Sequence, residues 1–395
     1  MQTAQRLVPF KSSQQTASFA SVQHNMEAIT ERWSSEWKTR LQRRALDPAD
    51  FETLKDAGLT LTGVPDDMGG VWQSARLSTR PTGAMFRSLA RVDPSVALVA
   101  TMHPTVLALW LEQPGDAPVN PAAWREQRDR VLSAAKAGCW FGTVVSELGG
   151  GGDLMATRAT ASSSGDGGWL VTGDKHMGSG SGVTSFMITT AVPEGEKTPD
   201  IFLLDTRELP WDGSRGATLM REWDGHGMAA TQSHAFRFDR VAAERHALLG
   251  GAIQSIYRTM PVIAYMFSSV TMGILDAALA EARRRLQPRA ERMSAFERVS
   301  WTKAVNDIWL AEQAFEGMAR AIETGANLSS VQRGKLAIAD LAEASLNSIS
   351  KAIGGASFSR SSPFGQWSQD VRALGFLRPP WPLAYDRLFE ASFAD

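Results

Sequence analysis

The strongest constraint on the fold is one stretch of strand-forming sequence set between two helical halves. Residues 141–182 combine short β-branched runs with small-residue turns, whereas the flanking sequence has the three-to-four-residue apolar spacing of helices. This arrangement predicts an α+β chain with three domains. They are an N-terminal helical domain (residues 1–135), a middle β domain (136–250) and a C-terminal helical domain (251–395). A chain of 395 residues is long enough for that many parts.

Two small-residue loops follow neighbouring predicted strands in this stretch. The first is a run of four glycines at 149–152, and the second reads Gly-Ser-Gly-Ser-Gly at 178–182. Glycines expose backbone N–H groups and allow a ligand to approach closely. The first loop leads into a strand-like segment rather than a helix, which argues against a P-loop or a Rossmann turn. The two loops either hold one ligand between them or are simple tight turns.

Composition and spacing argue against several other classes of protein. The chain carries 41 Lys and Arg against 42 Asp and Glu, so no basic surplus points to nucleic acid or to an anionic membrane surface. Cys139 is the single cysteine, so we expect a cytoplasmic protein in a reducing compartment. The sequence has no His-x-x-x-His or Cys-x-x-Cys spacing, and we therefore predict no metal site. Gly180 occupies the apex of the Gly-Ser-Gly-Ser-Gly loop, so a lipase-type serine nucleophile is also absent there.

Two motifs in the β stretch resemble those of the acyl-CoA dehydrogenase family of flavoproteins. Residues 145–148 read Val-Ser-Glu-Leu where the family has Val-Thr-Glu-Pro, and residues 173–180 read Gly-Asp-Lys-His-Met-Gly-Ser-Gly where the family has Gly-x-Lys-x-Trp-Ile-Thr-Asn-Gly. The resemblance implies that Val145, Ser146 and Ser179 face the flavin. It places Met177 beside the ring, where the family usually has an aromatic residue. Leu148 and Met177 are departures, which indicate a divergent member.

The resemblance also implies an architecture and further site residues. The middle domain would be a β-barrel-like or β-sandwich unit, and the C-terminal domain a four-helix bundle that forms a homodimer or homotetramer. FAD would be the cofactor, with Arg289 at its pyrophosphate and Gly354 and Gly355 touching the FAD of a neighbouring subunit. Gly152 and Asp153 would contact the substrate. One apolar stripe predicts a core-facing helix in the bundle: Val305, Ile308, Trp309, Phe315 and Ile322.

The reaction itself stays open at this stage. Dehydrogenation of an acyl thioester needs a base for the α-proton, and the family supplies a glutamate in its last segment. Here Arg378 or a neighbour occupies that place, and an arginine stays protonated. The alternative position, near Ile263, also has no carboxylate. His103 lies on an apolar helix face and is interpreted as a structural histidine.

Three hypotheses follow. The first is an FAD-dependent oxidoreductase that acts on the CH–CH group of an acyl thioester and passes electrons to an electron-transfer flavoprotein. The second is a monooxygenase on the same fold that takes reduced flavin from a flavin reductase and needs no such base. The third is a non-catalytic assembly protein. In the first two the substrate is a small molecule, and the sequence names neither its identity nor the catalytic residue.

Overall fold

The structure, a computed structural model, describes residues 18–111, 120–165, 167–325, 328–377 and 380–393. Within these ranges, six helices precede the first strand: α1 (Phe19–Ser34), α2 (Trp37–Leu41), α3 (Pro48–Asp56), α4 (Ala75–Ala90), α5 (Pro94–Leu111) and α6 (Pro121–Lys136). A capping box at Ser18 begins α1. Helix α5 is the most buried of them, because nearly every residue along it is enclosed by neighbouring elements.

His103 explains how α5 docks on the β domain. Its Nδ1 accepts the Phe141 N–H at 3.2 Å, so the other ring nitrogen, Nε2, carries the proton and donates to the Thr60 carbonyl at 2.8 Å. Burial lowers the pKa of His103 to about 4, which keeps the ring neutral. The histidine is therefore a structural bridge between α5 and the first strand.

In the described residues, seven strands form the middle of the chain: β1 (Phe141–Thr143), β2 (Thr160–Ser163), β3 (Trp169–Gly178), β4 (Phe186–Pro193), β5 (Asp200–Asp205), β6 (Ala217–Arg221) and β7 (His234–Arg245). Five of them close into a ring in the order β4-β2-β3-β7-β5 and back to β4, with β1 added to β4 and β6 to β7. The β4–β2 pair is parallel and the other four pairs of the ring are antiparallel. Apolar side chains including Val171, Phe202 and Phe238 fill the interior. The predicted barrel-like unit is confirmed.

Five helices follow the barrel in the described residues: α7 (Ala252–Leu286), α8 (Ala295–Thr324), α9 (Leu328–Ile353), α10 (Pro363–Gly375) and α11 (Trp381–Ser392). The first four of these form the predicted bundle. By length and composition, α5 and the segment 252–292 could each cross a membrane, yet 89% and 78% of the relevant windows are buried inside the fold. That burial explains their apolar composition as the composition of core helices.

The helices at the two ends of the chain share one hydrophobic core rather than forming two separate ones. Helix α4 lies against α7 so closely that a Cβ at Gly273 would be 2.2 Å from the Arg87 carbonyl oxygen. Arg87 also makes a paired hydrogen bond to Asp276 at 2.7 and 2.8 Å. The three-domain division stays a prediction, and the packing shows that residues before the barrel and after it depend on one another.

A buried cluster of charges joins α2, α3 and the start of α5. Arg40 donates to Asp50 at 2.6 Å, and its Nε lies 3.2 Å from an Asp93 carboxylate oxygen without the geometry of a hydrogen bond. The guanidinium also lies over the Trp33 ring, 3.5 Å from its centre. Burial raises the pKa of Asp93 to about 6. Arg40 is therefore the cation that the two buried carboxylates share, and Arg43 is a second donor to Asp50 at 2.6 Å.

Helix α8 differs from its sequence prediction on one face. Trp309, predicted as part of the core stripe, is 57% exposed, and Phe296 and Val299 on the same helix are 65% and 55% exposed. Ile308 and Phe315 do face the core. The prediction that Trp309 belongs to the core is wrong for a single chain. Helical spacing shows that Trp309 is near the apolar stripe, but it does not show whether another element covers the indole.

Candidate active site

A cavity of about 330 Å³ lies where the barrel meets α5, α7 and the segment after α10. The barrel side and its loops supply Thr143, Val145, Ser146, Gly152, Leu154, Met177, Ser179, Ile188, Trp223, Met228 and Ser233. The helices and the C-terminal segment supply Leu98, Met102, Thr105, Val106, Leu109, Ile256, Ile263, Phe267, Ala373, Phe376, Leu377 and Pro380. Most of the hydroxyl groups are thus on the barrel side, and the opposite wall is almost entirely hydrocarbon.

Five of the residues assigned from the sequence meet in this cavity: Val145, Ser146, Gly152, Met177 and Ser179. They come from two chain segments that meet where the His176 N–H donates to the Ser146 carbonyl at 2.8 Å. Met177 has a positive φ of 58° and remains 51% exposed, so its thioether stands out from the wall rather than packing into it. Asp153 is outside the lining: its carboxylate accepts the Met155 N–H at 2.9 Å and caps a short turn.

Glu147 and Lys175 brace these two segments from behind. The Lys175 side chain is fully buried, and its Nζ donates to Glu147 at 2.7 Å and to the Thr190 carbonyl at 2.6 Å. Burial opposes the charge on Glu147, but hydrogen bonds from Lys175 and from the Arg158 and Ala159 N–H groups outweigh it and lower the pKa of Glu147. A carboxylate held in this way is a structural anion and a poor proton acceptor.

The third part of the wall is a tight turn at 228–233. Met228 and Gln232 both have positive φ, at 51° and 47°, and a buried carboxylate holds the turn in that shape. Asp370 on α10 accepts the Met228 N–H at 2.6 Å, and the Trp223 indole N–H donates to the Met228 carbonyl at 2.9 Å. Sequence reasoning missed both supports, because nothing in the local pattern shows that residue 370 meets residue 228.

This anchor gives a pH-dependent prediction. Burial raises the pKa of Asp370 to about 7, above its ordinary value of 3.8, so the folded state binds the proton more tightly than the unfolded chain. The resulting stabilisation is complete below pH 4 and is lost as the pH rises through 7. Asp370→Asn keeps an acceptor for Met228 and cannot titrate. Between pH 5 and pH 8, we expect wild type to lose about 1–3 kcal/mol of unfolding free energy relative to this variant.

Urea unfolding followed by tryptophan fluorescence at the two pH values measures this difference. The prediction fails if the gap between wild type and Asp370→Asn is the same at pH 5 and pH 8.

Several known proteins are similar to this chain in sequence or in fold. None of the protein-family models compared matches the chain. It is 26% identical to a dibenzothiophene monooxygenase of Mycolicibacterium goodii over 339 residues, covering 78% of this chain and 76% of that protein. It is 30% identical to SfnC of Pseudomonas putida, a probable FMNH2-dependent monooxygenase, over 250 residues, covering 62% of this chain and 56% of that protein. Butyryl-CoA dehydrogenase of Megasphaera elsdenii has the same fold, with a TM-score of 0.79, 17% identity and coverage of 95% and 98% of the two chains.

The chain is a divergent acyl-CoA dehydrogenase-like flavoprotein. The predictions of family, fold class and a flavin-dependent oxidoreductase are therefore confirmed. Which flavin it uses and which reaction it performs are separate questions that the geometry of the cavity addresses.

The residues of this flavoprotein fit a flavin ring. Such a ring has flat apolar faces and a polar edge rich in hydrogen-bonding groups. The cavity offers hydrocarbon from α5 and α7 on one side and hydroxyls of Ser146, Ser179 and Ser233 on the other. Among the described lining residues there is no Asp, Glu, His, Lys or Arg. Residues 378 and 379 are outside the described ranges, and the assignment of Arg378 to the base position therefore stays a prediction.

The remaining predicted cofactor residues are not part of this cavity. Arg289 donates to Glu297 at 2.5 Å and to the Ala352 carbonyl at 3.0 Å, which holds the start of α8 against the end of α9. Gly354 and Gly355 follow directly after α9, near the same contact. Within one chain, none of these three residues lines the cavity that contains Val145, Ser146, Met177 and Ser179. The contact of Gly354 and Gly355 with the FAD of a neighbouring subunit and the position of Arg289 at the FAD pyrophosphate both stay predictions.

A glycine substitution tests how tightly the cavity closes. Gly152 has a φ of +84°, and a Cβ there would lie 2.7 Å from Pro380 Cγ. Gly149 has a φ of +80° and open space around it, so it is a matched control. Both alanine variants should lose about 1–2 kcal/mol from backbone strain. Only Gly152→Ala should lose a further 1–3 kcal/mol or so of unfolding free energy from overpacking against Pro380. The same variant should also bind ligands in the cavity more weakly. Thermal unfolding and flavin titration of the two variants measure both effects, and equal behaviour would show that Gly152 does not set the closure.

Proposed function

We propose that this flavoprotein is a monooxygenase that works with reduced flavin, and with FMN rather than FAD. The observation that carries the proposal is the chemistry of the described cavity wall, which has hydroxyls and hydrocarbon but no side chain that can act as a general base. Thioester dehydrogenation cannot proceed without a base near the α-carbon, whereas oxygen transfer from reduced flavin has no such requirement. The two sequence relatives described above are named as monooxygenases, which supports this choice over the dehydrogenase.

Two observations favour FMN. Arg289, the residue expected at the FAD pyrophosphate, is engaged by Glu297 and lies outside the cavity lining of its own chain. SfnC is described as FMNH2-dependent. A flavin that binds in the reduced state has to be delivered, so we propose a flavin reductase as the partner enzyme.

The wall also supports a choice of substrate class. A wall of Leu98, Met102, Val106, Ile256 and Phe267 stabilises apolar groups and gives no charge to hold a phosphate or carboxylate. We therefore propose a compact, uncharged and largely apolar substrate. In this scheme α5 and α7 hold the substrate and exclude water, while the barrel loops hold the flavin edge. When bound, reduced flavin supplies the two electrons that activate dioxygen.

The test is a coupled assay of the full-length protein with FMN, NADH, a flavin reductase and ¹⁸O₂. Dibenzothiophene is the first probe, because one relative is named for it. We expect one labelled oxygen atom in the product and the other in water. With butyryl-CoA under anaerobic conditions, we expect no bleaching of bound oxidised flavin. Bleaching by an acyl-CoA, together with no label in any apolar product, would replace the monooxygenase by the dehydrogenase.

We also propose that the protein is a homodimer or homotetramer. Helix α8 exposes Phe296, Val299 and Trp309, large apolar side chains that contact with another copy would cover. Sedimentation equilibrium would give the mass of the assembly, and a monomer at micromolar concentration would contradict this assignment.

A further inference from the structure

Three hydroxyl groups form a row that begins inside the protein and ends at the cavity. The Thr231 hydroxyl donates to the Met228 carbonyl at 2.8 Å and lies 2.7 Å from the Ser233 hydroxyl. The Ser233 hydroxyl in turn lies 2.7 Å from that of Ser179. Thr231 is fully buried, whereas Ser233 and Ser179 line the cavity.

Counting protons fixes the direction of this row. Each hydroxyl has one proton to donate and two lone pairs. The carbonyl of Met228 can only accept, so the Thr231 proton points at it. Ser233 must therefore donate to Thr231, and Ser179 must donate to Ser233. The proton of Ser179 then points away from the cavity, and its lone pairs are left facing the ligand.

The row is held rigidly at its inner end. The Met228 carbonyl also accepts the Trp223 indole N–H at 2.9 Å, and the Met228 N–H donates to the Asp370 carboxylate at 2.6 Å. The Thr231 carbonyl accepts the Gly180 N–H at 2.8 Å, which ties the turn to the loop that carries Ser179. Reversing the direction would leave Thr231 Oγ1 facing the Met228 carbonyl oxygen at 2.8 Å without a proton between them.

We propose that Thr231 and Ser233 are positioning residues that make Ser179 a fixed hydrogen-bond acceptor, and that this acceptor selects reduced over oxidised flavin. The proposal rests on the proposed function. In this proposed arrangement Ser179 faces flavin N5, where reduced flavin has an N–H donor and oxidised flavin has only an acceptor. An acceptor that faces another acceptor in a dry site leaves both unsatisfied. The row of hydroxyls thus favours reduced flavin, which is the form that the proposed reaction consumes.

The test compares the affinity of the full-length protein for FMN and for dithionite-reduced FMN under anaerobic conditions. We expect wild type to bind the reduced form about tenfold more tightly or better. Thr231→Val removes the acceptor for Ser233, so Ser233 can donate to Ser179 and the Ser179 proton can turn to the cavity. The dissociation constant of FMN divided by that of reduced FMN should then fall about tenfold. For a two-electron couple, this lowers the midpoint potential of the bound flavin by about 30 mV.

Thr189→Val is the matched control. Thr189 is also fully buried and donates to a backbone carbonyl, that of Val144, at 2.8 Å, but it has no place in the row. Its ratio should equal that of wild type. Ser233→Ala breaks the row at the next position and should reproduce Thr231→Val, which covers the case in which one variant does not fold.

The possible outcomes distinguish failure of the hydroxyl row from failure of the proposed monooxygenase function. Flavin binding with an unchanged ratio in Thr231→Val and Ser233→Ala overturns the row and leaves the monooxygenase standing. An equal loss of ratio in Thr189→Val also overturns it, because the effect would then be general loosening. Failure of wild type to bind either form of flavin overturns the proposed function and the row together.

Discussion

Replacing Arg40 with alanine should lower the free energy of unfolding by about 3–5 kcal/mol, because it removes the paired cation of buried Asp93 and leaves Asp50 with Arg43 alone. Arg40 is 3% exposed and is the shared cation of Asp50 and Asp93, which are 7% and 2% exposed. Its contact with the Trp33 ring would be lost as well. Denaturant unfolding at pH 7.5 measures the change.

Arg40→Lys separates charge from shape. A lysine keeps the positive charge but cannot present two donors in the planar arrangement of a guanidinium. We expect a smaller loss than for alanine. At pH 5, Asp93 is largely protonated because burial raises its pKa to about 6, so the cost of Arg40→Ala should shrink there. A cost that is equal at both pH values would show that Asp93 is not part of the effect.

The second large effect is expected for Lys175→Met, again about 3–5 kcal/mol. The variant leaves Glu147, whose side chain is 7% exposed, to the Arg158 and Ala159 N–H groups and the outlying Arg158 guanidinium. Because the pair braces the segments that hold Ser146 and Met177, flavin affinity should fall along with stability. Chemical unfolding and flavin titration give the two quantities.

A double variant decides whether the charge or the packing matters. In Lys175→Met with Glu147→Gln, neither charge is buried, and we expect most of the lost stability to return. A double variant as unstable as Lys175→Met alone would mean that packing of the lysine stem, rather than its ion pair with Glu147, stabilises the barrel.

The parts of the site that the sequence predicts are those whose residues sit in short local motifs. Val145, Ser146, Met177 and Ser179 fall in two segments of the β stretch, and the pairing of Ser146 with His176 is enough to bring them together. Asp153 belongs to the same loop but turns to cap Met155, because a carboxylate next to a free backbone N–H has a closer partner than any ligand. Pattern alone cannot choose between these two uses of an aspartate.

Contacts that hold the site or the core in place but join distant parts of the chain could not be predicted. Asp370 reaches Met228 across 142 positions, and Arg40 meets Asp93 only after α2, α3 and α5 have packed. The exposed Trp309 has a related cause, since helical spacing identifies an apolar face but not whether the same chain covers it. Hairpins such as β2–β3 do follow from local strand and turn signals. The closed barrel needs the distant β3–β7 and β2–β4 pairs, and only the family resemblance implied it.

The core shared by the first and last helices has a consequence for synthesis on the ribosome. The hydrogen bond between Arg87 and Asp276 joins residues 189 positions apart. At about 5–20 residues per second, α4 emerges about 10–40 s before its partner on α7 exists. The barrel strands are complete earlier and can pair meanwhile. The nascent N-terminal helices therefore wait with an uncovered apolar face, which leaves them open to aggregation during this interval.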